Sequence, residues 1–475
     1  MNAMAIFDSK IESDTAEVPA QYGTRALAIE PRGAEAIPAS ERHGKPLQLL
    51  WTWSSPNFEF ATIFVGFIGV AYFGLSPLQA LAAILVGNGL AAFFHYVLSS
   101  RGPRLGLPQM VVSRLAFGWI GNILPATISS LIAGIGWFAV NSVSAALALS
   151  ALLHTTPWLS LLIVSVVQIG VATFGYNLVQ AFERYLCPIL AIVFLLASVT
   201  ILRGADMTVP SQGGGFGGFT LTAAACFGYA AGWNPYAADY TRYFSADRST
   251  ERKVGIFAAA GLFISTTVLE FVGAAAATLI PTDTANPVDD FTKLLPPVLA
   301  AFTLVAIALG ASAANVLNVY SAALSFLAVG VRVGHRYARA ITSAIFGITG
   351  TVVAFTALPD AGSSYQNFLL VVAYWLGPWL GVVFADLLVN RTRNDSAVIE
   401  ERHYTNRAGP VALVVGMVTS IMLFSNQTQY QGLITERHPG IGDITFAAGF
   451  LISAAVFSLL VRTALGPRLA GQPLT

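Results

Sequence analysis

The amino-acid sequence predicts an all-α integral membrane protein with about twelve transmembrane helices. Of its 475 residues, 55% are hydrophobic and only 10% are charged, whereas soluble globular proteins carry about 25% charged residues. The mean hydropathy is +0.67. From Leu47 onward apolar stretches recur, each close to the ~20 residues that a helix needs to cross a bilayer. The strands of a β-barrel would instead alternate over segments of about ten residues, so the sequence excludes that architecture.

Twelve apolar stretches define the predicted organisation. They cover residues 51–75, 77–100, 121–153, 157–177, 181–202, 219–241, 254–281, 294–329, 339–358, 367–390, 408–426 and 443–463. The third and eighth stretches exceed one crossing, which predicts tilt or an added turn. Residues 1–46 are predicted to form a polar, disordered cytoplasmic tail, which lacks the apolar core of a signal peptide. Ten helices in residues 47–395 form the predicted transporter core. Residues 396–466 form the last helix pair, and residues 467–475 a cytoplasmic C-terminal tail.

The distribution of basic residues supports this division. Placing the N-terminus inside puts 22 of the 25 lysines and arginines in inner segments, and the three outer ones are Arg203, Lys293 and Arg437. Cytoplasmic loops carry such an excess of basic residues. We therefore expect an even number of spans, with both termini in the cytoplasm, in a cell (inner) membrane.

The composition also limits the class of protein. The net charge is +1, so there is no basic excess to bind nucleic acid. Cys187 and Cys226 lie in apolar runs, which argues against a disulfide framework or a zinc site. The chain contains no cofactor motif, and we expect neither an enzyme nor a bound metal. A transporter is the leading class. A receptor or a channel is the alternative, disfavoured by the lack of large cytoplasmic domains and of charged pore rings.

Helix-breaking residues interrupt the first and sixth spans. The first contains Pro56, followed by the polar residues Asn57 and Glu59, and the sixth contains Gly232 and Pro235. Proline removes a backbone donor, and a membrane tolerates irregular backbone only where protein or a cavity surrounds it. Breaks five spans apart indicate an inverted repeat of five plus five helices with a binding site at the breaks. The alternative is that Gly and Pro are simply common in membrane helices.

Candidate ligand-binding side chains lie on three spans. In the third, Trp137 and Asn141 are four residues apart and share a helix face. In the eighth, Asn315 and Asn318 are three apart, again on one face, and in the sixth Trp233 stands at the break. Amides within a membrane bind either a ligand or a neighbouring helix, and the sequence leaves both roles open for each asparagine.

Two tryptophans and several amides suit a flat, uncharged heteroaromatic ligand. Stacking on an aromatic side chain contributes about 1–3 kcal/mol per base in nucleic-acid sites, and Asn pairs with donors and acceptors on a base edge. An amino acid would require groups that bind a carboxylate and an ammonium. A flat heteroaromatic ligand therefore fits these residue types better than an amino acid does.

Three carboxylates at membrane depth are candidates for proton coupling: Glu59, Glu183 and Glu270. A carboxyl in such a position can take up and release a proton during transport. For Glu183 the alternative is a structural pair with nearby basic residues. For Glu270 it is an interhelical hydrogen bond.

Four segments resemble the nucleobase:cation symporter-1 family, and in particular its purine–cytosine permease branch. They are GPRLGLPQMVVSRLAFG at 102–118, GWFAVN at 136–141, GWNPYAADYTRY at 232–243 and ADLLVNR at 385–391. Each alone is a weak signal, but the four in this order are specific. The resemblance covers about residues 47–395.

The resemblance implies a leucine-transporter-like fold, with a 5+5 inverted repeat and alternating access. It further implies that Trp137 and Trp233 stack on the base, that Asn141 and an asparagine of the eighth span bind its edge, and that the backbone at Gly232 contributes. The first-span hydroxyl that helps to bind substrate in this branch falls closest to Thr62, and the acidic residue after its fourth span corresponds to Glu183.

The eighth span departs from the sodium-coupled relatives. They carry a Ser-Thr or Thr-Thr pair there, whereas this chain has only Ser312 in the stretch 309–315. The resemblance therefore predicts proton-coupled import of a nucleobase such as cytosine, adenine, guanine or hypoxanthine. Sodium coupling, or transport of hydantoin, allantoin, a vitamin or an amino acid on the same fold, remains the alternative.

Overall fold

The computed structural model describes residues 33–172, 176–280, 286–330 and 338–468, without the side chains of 171–172, 176–183, 338–340, 343 and 400. All twelve apolar stretches are helical within these ranges. In chain order the spans are Gln48–Ser54 with Phe60–Ala71, Pro77–Leu105, Ile123–Leu131 with Ile132–Trp137 and Phe138–Leu153, Pro157–Ala172, Tyr176–Gly204, Gly215–Ala231, Arg248–Ala276, Pro297–Ala328, Ala338–Ala357, Ala361–Val389, Ala408–Phe424 and Thr445–Leu460. The predicted all-α architecture is confirmed.

The second span shows how local sequence sets the helix ends. Ser76 and Gln79 form a capping box, in which the Ser76 hydroxyl accepts from the Gln79 amide at 3.3 Å and the Gln79 side chain accepts from the Ser76 amide at 3.0 Å. Pro77 occupies the first turn, where its missing N–H costs no hydrogen bond. The helix ends at Gly106, whose φ of 66° is readily adopted only by glycine.

The first and sixth spans are both broken, as the sequence predicts. In the first, a 3-10 turn at Ser55–Asn57 leads to Glu59, whose backbone is extended, before the helix resumes. In the sixth, the helix stops at Ala231 and a second 3-10 turn follows at Asn234–Tyr236. The third span contains a π-helical segment, Ile132–Trp137, which accounts for part of its extra length, and such segments are frequent at functional sites.

Glycines bring the first and seventh spans into backbone contact. A Cβ atom at Gly66 would overlap the carbonyl oxygen of Glu270, and one at Gly273 would overlap the carbonyl oxygen of Ile63. Small residues allow such close approach in membrane helices, whose association relies on packing rather than on the hydrophobic effect. The two glycines thus hold the second half of the first span tightly against the seventh span, just beyond the break.

Residues 33–46 differ from the prediction that the whole N-terminal tail is disordered. Ile37 is buried, and its amide donates to the carbonyl of Gly106 at 2.9 Å. The amide of His43 donates to the carbonyl of Tyr243 at 2.6 Å. This segment, which we call the N-terminal strap, therefore connects the ends of the second and sixth spans, and its burial could not be read from a polar composition.

The last two spans pack on the outside of the tenth. Cβ atoms at Gly377 and Gly381 would overlap the carbonyl oxygens of Phe446 and Phe450. The eleventh and twelfth spans thus extend the bundle away from the two helix breaks.

Candidate functional site

Asn57 organises the break in the first span. Its side-chain nitrogen donates to the Trp53 carbonyl at 2.7 Å, and its side-chain oxygen accepts from the indole N–H of Trp233 at 3.1 Å. Two residues later, Glu59 is only 1% exposed, and its Oε1 accepts from the Tyr229 hydroxyl at 3.3 Å. Side chains of the two broken helices therefore meet directly.

The sixth span contributes an aromatic wall at its break. The ring of Tyr229 meets that of Trp137 edge-on, with 5.6 Å between centroids. A Cβ atom at Gly232 would lie 2.9 Å from the Trp137 ring, closer than side chains normally approach. Glycine at position 232 thus allows the indole of the third span to reach the broken sixth helix.

These elements enclose a small cavity at the centre of the protein, which we call the central cavity. Its lining combines two indoles, a phenol, two amides, a carboxylate and a glycine: Glu59, Trp137, Asn141, Tyr229, Gly232, Trp233 and Asn318. Six of these seven are sequence-predicted candidates. The volume is about 10 Å³, just enough for one water molecule, so a base can enter only if the lining side chains move.

Three buried polar atoms of the lining residues have no hydrogen-bond partner among the described residues. They are Oε2 of Glu59, Oδ1 of Asn141 and Nδ2 of Asn318. A buried polar group without a partner costs about 1–3 kcal/mol. The cavity therefore presents two acceptors and one donor, which a polar ligand would satisfy.

Asn315 does not line the cavity, although the sequence places it with Asn318. Its Nδ2 lies 3.1 Å from the Phe138 carbonyl oxygen, and its Oδ1 accepts from Asn141 at 3.1 Å. It therefore connects the eighth span to the third. Of the two roles that the sequence leaves open, Asn315 therefore binds a neighbouring helix, while Asn318 faces the cavity.

Thr62 also lies behind the cavity wall. Its hydroxyl donates to the Asn57 carbonyl at 2.6 Å and lies 2.5 Å from the Tyr229 hydroxyl. Both contacts hold the two breaks together. Thr62 thus supports the site without lining it.

Of the other two candidate carboxylates, the structure places Glu270 away from the central cavity. Glu270 is fully buried between the seventh and second spans, where it accepts from Asn88 at 2.8 Å. The side chain of Glu183 lies outside the described residues. Among the described residues, no three His, Cys, Asp or Glu side chains cluster in a way that could hold a metal ion.

A second, larger cavity, which we call the vestibule, lies next to the first. It measures about 420 Å³ and is lined by the first, third, ninth and tenth spans together with residues 287–288. Its aromatic lining includes Phe60, Tyr365 and Phe368. The Phe368 ring meets Trp137 edge-on, 5.0 Å between centroids, so this aromatic pair separates the vestibule from the central cavity.

Sequence reasoning missed two aromatic residues of this region. Tyr229 precedes Gly232 by three positions, one helical turn before the break, and this spacing could have identified it. Phe368 is one of many aromatic residues in apolar runs, and its sequence gives no signal. Only the packing of the tenth span against the third reveals its position.

Comparisons of the sequence with known proteins agree on one family. A family model described as a permease for cytosine/purines, uracil, thiamine and allantoin matches residues 36–436. The putative purine-cytosine permease YxlA of Bacillus subtilis is 29% identical, over 94% of this chain and 99% of that protein. The purine-cytosine permease fcyB of Emericella nidulans is 30% identical, over 90% of this chain and 87% of that protein.

Solved structures agree on the fold. The nucleobase-cation-symport-1 family transporter Mhp1, in a closed conformation with bromovinylhydantoin bound, superposes with a TM-score of 0.71 at 19% identity, covering 91% of this chain and 95% of that one. Its inward-facing conformation gives a TM-score of 0.70 at 18% identity, covering 92% and 94%. These likenesses confirm the leucine-transporter-like fold class predicted from the sequence.

Proposed function

Since this chain belongs to the family of permeases for cytosine/purines, uracil, thiamine and allantoin, and is thus a membrane transporter rather than an enzyme, we propose that it imports a nucleobase by proton symport. The substrate would be cytosine or a purine. Both termini would lie in the cytoplasm, because 22 of 25 basic residues fall on that side of the predicted topology. The relatives named as purine-cytosine permeases support this substrate class.

The lining of the central cavity is the observation that carries the proposal. Trp137 and Trp233 offer flat apolar faces for stacking, while Asn141 and Asn318 offer unpaired amide atoms to a ring edge. No lysine or arginine lines the cavity, so no cationic side chain there would pair with the carboxylate of an amino acid. A neutral heteroaromatic base fits this combination.

Proton rather than sodium coupling is favoured by the eighth span. The residue of this span that packs on the Phe58 carbonyl, at the first-span break, is Gly310, which has no side chain. The only nearby hydroxyl in the predicted stretch, that of Ser312, donates to the Ala308 carbonyl at 2.8 Å and accepts from Gln168 of the fourth span at 3.3 Å. A sodium ion at the break would therefore find no free hydroxyl from this stretch of the eighth span to complete its set of oxygen ligands.

Glu59 is the carboxylate best placed to couple proton and substrate. It lines the cavity, with one oxygen unpaired and the other 3.3 Å from the Tyr229 hydroxyl. A proton on Glu59 removes a buried charge and changes the hydrogen bonds available to the base. Proton and base would then favour each other's binding, as symport requires.

Alternating access is supported by the two cavities. The vestibule lies on the predicted outer side and is separated from the central cavity by Trp137 and Phe368. A base would pass from the vestibule to the central cavity when this aromatic contact opens. It would leave on the opposite side after closure.

Uptake by the purified protein in liposomes tests this function. Radiolabelled cytosine and adenine would be offered under an imposed pH gradient or a sodium gradient, and we expect accumulation with the pH gradient alone. Trp233→Ala should abolish it, while Trp158→Ala, at an exposed indole, should leave it unchanged. Sodium-driven uptake would contradict the proposed proton coupling but would leave the proposed substrate class standing. No uptake of either base by folded protein would shift the substrate to hydantoin, allantoin or a vitamin.

A further inference from the structure

A hydrogen-bonded network joins the third, fourth and eighth spans beside the central cavity. Its centre is Gln168, a buried amide in the fourth span, whose other buried polar residues are Ser160 and Ser165. Gln168 Oε1 accepts from the Asn315 amide at 2.7 Å and from the Ser142 hydroxyl at 2.8 Å. Asn315 in turn accepts from Asn141, which lines the cavity. The network therefore connects a residue outside the site with one that faces the ligand.

The backbone fixes the orientation of the amide of Asn315. The Phe138 carbonyl oxygen, 3.1 Å away, can only accept, so the Asn315 atom that faces it must be the nitrogen. The Asn315 oxygen then points to Asn141, which must answer with its own nitrogen. The Asn141 oxygen is left unpaired on the cavity side.

A second backbone carbonyl leads independently to the same orientation. The Ser312 hydroxyl donates its one hydrogen to the Ala308 carbonyl at 2.8 Å, so it can only accept from Gln168, whose nitrogen lies 3.3 Å away. The Gln168 oxygen must then face Asn315, as observed. A backbone carbonyl oxygen fixes the hydrogen-bond direction at each end of the network. No single amide of Asn141, Asn315 or Gln168 can therefore flip without placing two acceptors or two donors in contact.

We propose that Gln168 is a positioning residue for substrate selectivity, holding Asn141 through Asn315 so that its carbonyl oxygen faces the central cavity. The site then requires an N–H donor on the ligand edge that meets Asn141. This assignment rests on the proposed nucleobase transport and specifies its substrate chemistry.

The donor of Asn318 completes this polarity. Asn318 lines the same cavity and its Nδ2 has no partner among the described residues, so an acceptor on the ligand would satisfy it. An exocyclic amino group beside an unprotonated ring nitrogen meets both requirements, and adenine and cytosine carry such an edge. Bases with an amino group at this edge are therefore the preferred substrates.

Methyl isosteres of the amino group provide the test. Competition against radiolabelled base uptake would compare adenine with 6-methylpurine, and cytosine with 4-methylpyrimidin-2-one, because a methyl group keeps the size but removes the donor. In the unmodified protein the amino compound should compete at least about 10-fold better than its methyl isostere. The methyl group has no N–H, so the buried Asn141 oxygen stays unpaired when the isostere is bound. In Gln168→Leu this ratio should fall to about 3-fold or less, because the Asn315 nitrogen then loses its shortest contact and keeps only the Phe138 carbonyl and the Ser142 hydroxyl, each at 3.1 Å.

Gln168→Glu is the matched control, because a buried glutamic acid in its neutral form keeps one oxygen that accepts from Asn315 and Ser142 and a hydroxyl that donates to Ser312. It should retain the ratio. Simple loss of stability in either variant would lower transport of both compounds and leave the ratio unchanged. A ratio near one in the unmodified protein, an unchanged ratio in Gln168→Leu, or equal loss in both variants would overturn the assignment. Failure of adenine and cytosine to be transported at all would instead overturn the proposed function on which it rests.

Discussion

The indole N–H of Trp233 donates to the side-chain oxygen of Asn57, 3.1 Å away, and this bond joins the breaks of the sixth and first spans. It fixes the ring plane of a residue that lines the central cavity. The orientation of one stacking surface thus depends on a polar residue of another helix, which does not itself line that cavity.

Asn57→Ala should weaken substrate binding. The variant leaves the buried indole N–H of Trp233 without its acceptor, which costs about 1–3 kcal/mol, and lets the ring rotate. We expect the KM for base uptake to rise about 10-fold. Asn394→Ala, which removes only an exposed helix cap, should leave the KM unchanged. An equal KM in both variants would show that the Asn57 bond does not position the ring.

Glu59→Gln should uncouple transport from the pH gradient. The amide cannot carry the transported proton, while the cavity keeps its shape, so gradient-driven accumulation should be lost and exchange of labelled for unlabelled base should persist. Glu270→Gln should retain accumulation, because its oxygen can still accept from Asn88 and it does not line the cavity. The reverse pattern in these two assays would assign coupling to Glu270.

Gly66→Ala should destabilise the protein. The added methyl group would collide with the backbone carbonyl of Glu270, which cannot move without shifting the seventh span, and overpacking of this kind costs about 1–3 kcal/mol. We expect a lower melting temperature in detergent. Gly89→Ala meets no atom within 4 Å and should melt no lower than the unmodified protein. Equal melting of both variants would contradict the close packing of the two spans.

Asp386→Ala should be more damaging than the loss of an exposed ion pair. Asp386 and Arg393 are almost buried and 2.6 Å apart. Removing one partner of an isolated buried pair costs about 3–5 kcal/mol, and Arg393 offsets part of this cost because it keeps Asp395 at 3.0 Å. Lys293 and Asp289, 2.7 Å apart, are largely exposed, so Asp289→Ala should cost no more than about 1 kcal/mol. Thermal unfolding of the two variants in detergent measures the difference. Similar losses would indicate that the Asp386 pair is solvated.

The sequence predicts the twelve spans and both helix breaks, because their causes are local. Apolar runs of membrane-spanning length need no partner to be recognised, and Pro56 and Pro235 stand beside polar or glycine residues that favour a break. Proline alone does not specify one, because Pro103, Pro188 and Pro378 lie inside continuous helices. The shared face of Trp137 and Asn141 follows from helical spacing alone. Their place in one cavity with Trp233 then follows from the meeting of the third span with a broken sixth.

Other features depend on contacts between distant segments. Asn315 and Asn318 are equivalent by spacing, and only the rotation of the eighth span against the third and fourth decides that Asn318 faces the cavity and Asn315 the network. The burial of Ile37 likewise requires the surface formed at Gly106. Neither the neighbouring residues nor the periodicity carries this information.

The small volume of the central cavity has a kinetic consequence. Since about 10 Å³ cannot hold a base, the conformation described here is one that does not bind substrate, and the measured affinity will be the intrinsic affinity reduced by the fraction of molecules in which the cavity is open. Substitutions of Phe368 that loosen its contact with Trp137 should enlarge that fraction. They would strengthen apparent binding while slowing the closure that precedes release on the opposite side, so the tightest-binding variants of this transporter would be among its slowest.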